Sequence, residues 1–220
     1  MLRRAPMTDL EVTGLTCRRG GRPVFGDLSF SLAKGELLAL TGRNGSGKTT
    51  LLRALALLVP ADAGAIRWQG TDIGADRETW RRRIAWLGHL DGLKGDLTVR
   101  ENLATACHLR EEETGRVEAA FATFDLGALA DRPARTLSAG QRRRAALARV
   151  MACEAPLWLL DEPLNALDAP SQAALRAALG QHLAAGGLAI AATHAPIDVP
   201  NARTLLMDSP PPLGGEEHEP

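Results

Sequence analysis

Glu36-Leu-Leu-Ala-Leu-Thr41-Gly42-Arg43-Asn44-Gly45-Ser46-Gly47-Lys48-Thr49-Thr50 is the stretch that decides the fold. Residues 36–41 read as a short buried strand. Glycines at 42, 45 and 47 follow, and Lys48 to Leu58 reads as an apolar helix stopped by Pro60. Glycine is the residue that tolerates positive φ and close backbone approach. Backbone N–H groups from about Asn44 to Thr50 can therefore face one concavity, which the helix N-terminus makes more positive.

Positions 42–49 match G-x-x-x-x-G-K-[ST], the P-loop pattern. That pattern makes Gly42, Arg43, Asn44, Gly45, Ser46, Gly47, Lys48, Thr49 and Thr50 candidate nucleotide contacts. Lys48 can pair with the β- and γ-phosphates, and the Thr49 hydroxyl can ligate Mg²⁺.

A second stretch, Leu157-Trp158-Leu159-Leu160-Asp161-Glu162-Pro163, sets four large apolar residues before two adjacent acids. Burying a bare carboxylate costs several kcal/mol, so a metal ion, a lysine or both should sit nearby. The strand ending at Asp161 is expected to lie beside the P-loop strand, where its carboxylate can hold Mg²⁺. Glu162 points elsewhere and can polarise an attacking water, a general-base effect of roughly 10²–10⁴-fold. The plain alternative is that the two acids cap a neighbouring helix.

Outward from these motifs, Leu10 to Cys17 and Val24 to Leu32 have strand character, with a Gly-Gly turn between them. Ala65 to Trp68 reads as another strand. Thr98-x-x-Glu101 and Ser138-x-x-Gln141 are capping-box patterns that open helices within a helix-rich stretch from about 90 to 153. Asp168-Ala-Pro170 starts a further helix, and Leu188 to Thr193 is a final buried strand before His194. Strands alternating with helices predict a mostly parallel sheet covered on both faces, with ligands gathered at the strands' carboxyl ends. The glycine loop, the acidic pair and His194 can converge there.

The bulk composition narrows the classes. Lys plus Arg and Asp plus Glu number 26 each, so no global field draws the chain to nucleic acid or lipid. The triplets Arg81–Arg83 and Arg142–Arg144 read as solvated helix faces. Cys17, Cys107 and Cys153 are too far apart for a metal spacing, and free thiols suit a reducing compartment. No signal peptide and no run of about 18 apolar residues is present. The expected domain is 8–208, followed by a Pro/Gly-rich, acidic tail at 209–220 that should be disordered.

Leu137-Ser138-Ala139-Gly140-Gln141 resembles the L-S-G-G-Q signature of ATP-binding cassette (ABC) ATPases, with Ala139 in place of the first glycine. Its separation from Asp161, Pro163, the D-loop-like Leu164-Asn165-Ala166-Leu167-Asp168 and His194 extend the resemblance over roughly residues 8–208. The resemblance implies an α/β P-loop NTPase with a mostly parallel core sheet, an N-terminal antiparallel β subdomain and a helical signature subdomain. It implies an ATPase using ATP and Mg²⁺, with Glu162, His194 and Lys48 catalytic, and with Thr49 and Asp161 on the metal. His194 would sense the γ-phosphate and position water. Ser138, Gly140 and Gln141 would close on ATP held by the other chain of a head-to-tail homodimer.

Three positions depart from the family pattern. His89 stands where a glutamine is usual. It could act through a water or couple the site to a partner, since Mg²⁺ prefers oxygen ligands. The region Thr16-Cys17-Arg18-Arg19 lacks an adenine-stacking aromatic; an arginine plane could stack instead, or the turn could face solvent. Asn165 replaces a serine.

The short chain resembles a separate ATPase subunit that docks on integral-membrane permease subunits, peripheral on the cytoplasmic face of the inner membrane, without nucleic acid. The region Leu90–Arg110 would face the permease. Gly88-His89, Cys17-Arg18-Arg19 and the compact length resemble the ATP-binding subunits of cytochrome c biogenesis systems. That resemblance implies heme delivery or heme chaperone release for c-type cytochromes. Another small molecule as cargo stays open. A soluble ABC ATPase acting on DNA or ribosomes would carry long coiled-coil insertions or paired cassettes, which are missing. A non-hydrolytic regulator would not need Lys48, Asp161, Glu162 and His194 together.

Overall fold

The computed structural model of the protein describes residues 8–110 and 115–207. In chain order the elements are β1 (Leu10–Arg19), β2 (Arg22–Leu32), β3 (Leu37–Thr41), α1 (Lys48–Leu55), β4 (Ala63–Trp68), β5 (Thr71–Asp72), α2 (Arg77–Arg83) and β6 (Ile84–Leu87). They continue with α3 (Val99–His108), α4 (Gly115–Thr123), α5 (Ala139–Ala152), β7 (Leu157–Asp161), α6 (Ala169–Ala184), β8 (Leu188–Ala192) and β9 (Ala202–Leu206). Strands β6-β7-β8-β3-β9 form one sheet, parallel throughout, and β2-β1-β4-β5 form an antiparallel second sheet.

Alternation along the central strands divides the apolar core in two. Leu157, Leu159, Leu188, Ile190, Leu38 and Leu40 face α1 and the antiparallel sheet, where Leu51, Leu52, Leu55, Val12, Leu15 and Trp68 meet them. Trp158, Leu160, Ala189, Ala191, Leu37 and Ala39 face the other way, onto a layer built from α3, α5 and α6. Every residue of β7 and β8 is buried. That explains their unbroken apolar sequence: a strand covered on both faces has no polar side to show.

Both capping boxes form. Thr98 accepts from the Glu101 N–H at 3.1 Å, and the Thr98 N–H donates to Glu101 at 2.7 Å. Ser138 and Gln141 make the equivalent pair at the start of α5. Helices α3, α4 and α5 pack their inner residues, among them Val99, Leu103, Cys107, Phe121 and Leu147, against one another and onto the sheet.

Several expectations need correction. The P-loop strand β3 is not the neighbour of β7, because β8 lies between them. The crossover α1 packs on both β7 and β8, so its first turn spans β8 and reaches the end of β7. Helix α1 ends at Leu55, before Pro60. Leu57 takes φ +54°, and the Leu58 and Leu57 N–H groups return to Arg53 and Ala54 in a Schellman arrangement. The strand before His194 is the final buried one, as expected, and an additional strand, β9, follows at the sheet edge and is mostly exposed. Asp208 and the tail 209–220 lie outside the described residues.

Candidate functional site

The loop from 42 to 47 leaves β3 and enters α1 through two close approaches. Gly42 has φ +135°, and a Cβ there would stand 2.3 Å from the Met207 carbonyl oxygen. Gly47 has φ +96°, and a Cβ would meet Val24 and Phe25 at 2.9 Å. No side chain caps α1, and its first turn carries no acid. Its leading N–H groups have no acceptor within the helix, so they are available to an outside acceptor.

A cavity of about 580 Å³ opens over this turn. Asn44 to Thr50 all line it, together with His89, Asp161, Glu162 and His194. The expected convergence at the strand ends is therefore present. Thr49 donates its hydroxyl to Asp161 Oδ1 at 3.1 Å. Asp161 is 3% exposed. The His194 Nε2 stands 3.3 Å from Glu162 Oε1. Lys48 is 7% exposed, and among the described residues its Nζ meets only neutral acceptors: the Gly42 and Arg43 carbonyls, at 2.8 and 3.2 Å. The Ser46 hydroxyl is buried without a partner among the described residues.

The donor set fits a triphosphate and a hard cation. Buried cationic charge without a counter-anion is costly, and Lys48 is such a charge. A hydroxyl and a carboxylate 3.1 Å apart present the oxygen ligands that Mg²⁺ takes.

Other expected contacts lie elsewhere. Gly42 and Arg43 do not line the cavity; their carbonyls hold Lys48 instead. The Ser46 N–H is spent on the Arg43 carbonyl at 3.2 Å, so it does not join the ring of free amides. Ser138, Gly140 and Gln141 are absent from the cavity wall. Ser138 is exposed at the head of α5, and Gly140 packs against the turn at Ala166. His89 lines the cavity, so the usual-glutamine position does reach the site. Arg19 and Val24 stand on its wall as well, whereas the Arg18 N–H is tied to Asp62 at 2.6 Å.

The composition reading missed Arg143. Arg81 and Arg82 are exposed as expected, but Arg143 is 5% exposed. Its Nη2 donates to the Asp161 and Glu162 carbonyls, each at 2.6 Å, and its Nη1 donates to Gly88 at 3.1 Å. Asp91 lies 3.8 Å away. Burial pulls the guanidinium below its ordinary value, while Asp91, Asp161 and Glu162 oppose that shift. A signal existed: Arg143 precedes Ala146, Leu147 and Val150 by three, four and seven residues, which puts it on the buried stripe of α5.

A parallel sheet whose strand ends gather a phosphate-binding turn, a buried acid and a second acid beside a histidine defines a P-loop nucleotide-binding protein. The family model described as ABC transporter matches residues 25–165, and the chain belongs to the ABC transporter family. It is 48% identical to the cytochrome c biogenesis ATP-binding export protein CcmA of Paramagnetospirillum magneticum, over 88% of this chain and 91% of that protein. The CcmA protein of Escherichia coli O157:H7 is 42% identical over 88% of this chain and 93% of its own length. A solved ATP binding subunit of an ABC transporter superposes with a TM-score of 0.79 at 27% identity, covering 85% of this chain and 80% of that one. A putative ABC transporter ATP-binding protein from Pyrococcus furiosus shares the fold, with a TM-score of 0.77.

Proposed function

We propose that this chain is the ATP-hydrolysing subunit of a membrane transporter serving export in cytochrome c biogenesis. One observation carries the hydrolytic reading: a buried lysine with only neutral partners shares a cavity with the Thr49–Asp161 pair and the Glu162–His194 pair. The near-full-length similarity to CcmA proteins carries the choice of pathway.

In this reading the free amides of the α1 turn and the Lys48 ammonium bind the β- and γ-phosphates. Thr49 and Asp161 would hold Mg²⁺, which would supply positive charge to offset the negative charge developing on the phosphate during transfer. Glu162 accepts a proton from the water that attacks the γ-phosphorus. His194 orients that water and the phosphate. His89 acts from the cavity wall, through water rather than on the metal. Arg19 offers a planar surface to the base.

Ser138, Gly140 and Gln141 stand outside their own chain's cavity, so in this reading they meet nucleotide held by a second copy placed head to tail. The helical layer at about 90–153 forms a subdomain within a cassette spanning 8–208. No helix among the described residues is long and apolar enough to cross a membrane. In this reading integral permease subunits hold the chain on the cytoplasmic face of the inner membrane. Their contact lies at 90–110, where Leu90 and Leu109 are 82% and 79% exposed beside a cavity of about 260 Å³ lined by Trp86, Lys94, Leu109 and Arg110.

The test is copurification from membranes. The chain should bring down an integral subunit crosslinked through residues 90–110, and the complex should hydrolyse ATP. Crosslinks confined to ribosomal or DNA-bound partners would overturn the transporter reading.

A further inference from the structure

Glu162 takes φ +48°, a region that residues other than glycine rarely occupy. Something must hold it there. The Glu162 N–H bonds to the Ala192 carbonyl at 2.9 Å, which fixes one side of the residue. Its own carbonyl, and that of Asp161, converge on the single Nη2 of Arg143. The same guanidinium reaches the Gly88 carbonyl, one residue before His89. It also faces Asp91, which Arg142 approaches at 3.6 Å from the outer side. Arg149, about two turns further along α5, donates to the Trp86 carbonyl at 3.1 Å, and a Cβ added at Gly92 would stand 3.2 Å from its Nη2. Helix α5 thus clamps the segment 86–92 with one arginine and joins that segment to the acidic strand end with another.

We propose that Arg143 is a positioning residue for hydrolysis: it holds the Glu162 backbone so that its carboxylate faces the water site, and it joins that backbone to the His89 segment. This rests on the hydrolytic reading of Glu162. Arg143 does not line the nucleotide cavity, so it should influence turnover without influencing nucleotide affinity. A guanidinium can serve three carbonyls at once because its donors form a fixed planar fork, whereas a lysine ammonium cannot reproduce that fork. Glutamine supplies a shorter, planar two-donor group. Displacing a reacting group by about 1 Å can cost on the order of 100-fold in rate.

The experiment measures steady-state ATP hydrolysis and ATP binding for the full chain in its membrane complex, with Arg143→Gln, Arg143→Lys and Arg143→Met. The expected result is a kcat lowered on the order of 10–100-fold for Met, partial recovery with Gln, and a KM and ATP affinity within about twofold of wild type. The decisive measurement is the double variant Arg143→Met with Glu162→Gln. With no base left to position, Arg143→Met should add little to the loss caused by Glu162→Gln alone. Multiplicative losses, or equal loss of kcat and nucleotide affinity, overturn the inference and leave Arg143 a packing residue. If the Met variant does not fold, Asp91→Ala, which loosens the guanidinium from the rim, must lower kcat without changing KM, and an unchanged kcat overturns the inference. An inactive wild-type complex overturns the hydrolytic reading as well, which separates the two failures.

Discussion

Helices α1 and α5 both start without an acid in the first turn, yet they treat their free backbone donors in opposite ways. At α1 the preceding residue is Gly47, no side chain reaches back, and a buried lysine follows. At α5 Ser138 and Gln141 satisfy one another's backbone groups, and Ser138 stands in solvent. The first end leaves its donors open toward its own chain's cavity. The second is already stable by itself and presents a hydroxyl outward, where only an arriving surface can use it. A helix terminus is thus not a binding site by default; what decides is whether the chain has already satisfied it.

The largest expected effect lies opposite the α1 end. Glu162→Gln should reduce turnover by roughly 10²–10⁴-fold while ATP stays bound, and gel filtration with Mg²⁺ and ATP should report a dimer. A persistent monomer would break the proposed meeting of the two helix ends. Next, Lys48→Ala should weaken ATP binding by at least about 30-fold, the loss typical of a truncated buried charge pair. Calorimetry showing unchanged affinity would refute the role given to the uncapped end.

Smaller effects sharpen the contrast. Ser138→Ala removes a cap worth about 1 kcal/mol and should lower the melting temperature by about 2–4 °C. In the Glu162→Gln background it should also weaken ATP-dependent dimerisation, with ATP binding by the monomer unchanged. Equal dimerisation with and without the hydroxyl would leave the α5 end purely structural. The smallest effect belongs to α3, whose Thr98–Glu101 box serves as the reference for a cap with no ligand. Hydrogen bonds from the Thr98 N–H and hydroxyl hold the Glu101 carboxyl below its ordinary value of 4.5. A depressed folded-state value means the stabilisation is present above that pH and is lost as pH falls through the lower value. The melting-temperature gap between wild type and Glu101→Ala should therefore narrow below about pH 4.5. A gap that stays constant down to strongly acidic pH would show that the carboxylate is not the group at work.

Much of this was legible because its determinants are local. A capping box spans four residues, and both boxes formed where Thr98 and Ser138 announced them. The buried strands β7 and β8 declared themselves by continuous apolar runs. The strand order was not legible, because nothing in residues 157–161 records that β8 separates them from β3. Strand β6 is four residues long, and β9 reads Ala202-Arg203-Thr204-Leu205-Leu206, too polar to resemble the buried strands beside it. The early end of α1 was hidden because Leu57 adopts a conformation for which glycine is the usual marker. Arg143 was misjudged for a different reason. A run of three arginines suggests a solvated face, whereas the spacing of Arg143 to Ala146, Leu147 and Val150 places it inside.

Strand β9 has a practical consequence for anyone who would watch this protein turn over. It runs alongside β3 and delivers the Met207 carbonyl to the floor of the phosphate turn, so close that Gly42 has no room for a Cβ. At residue 207 the chain therefore passes directly beneath the glycine turn that enters α1. A fluorophore or affinity handle placed on residue 207, whose side chain is buried, would crowd that turn and belongs elsewhere on the molecule.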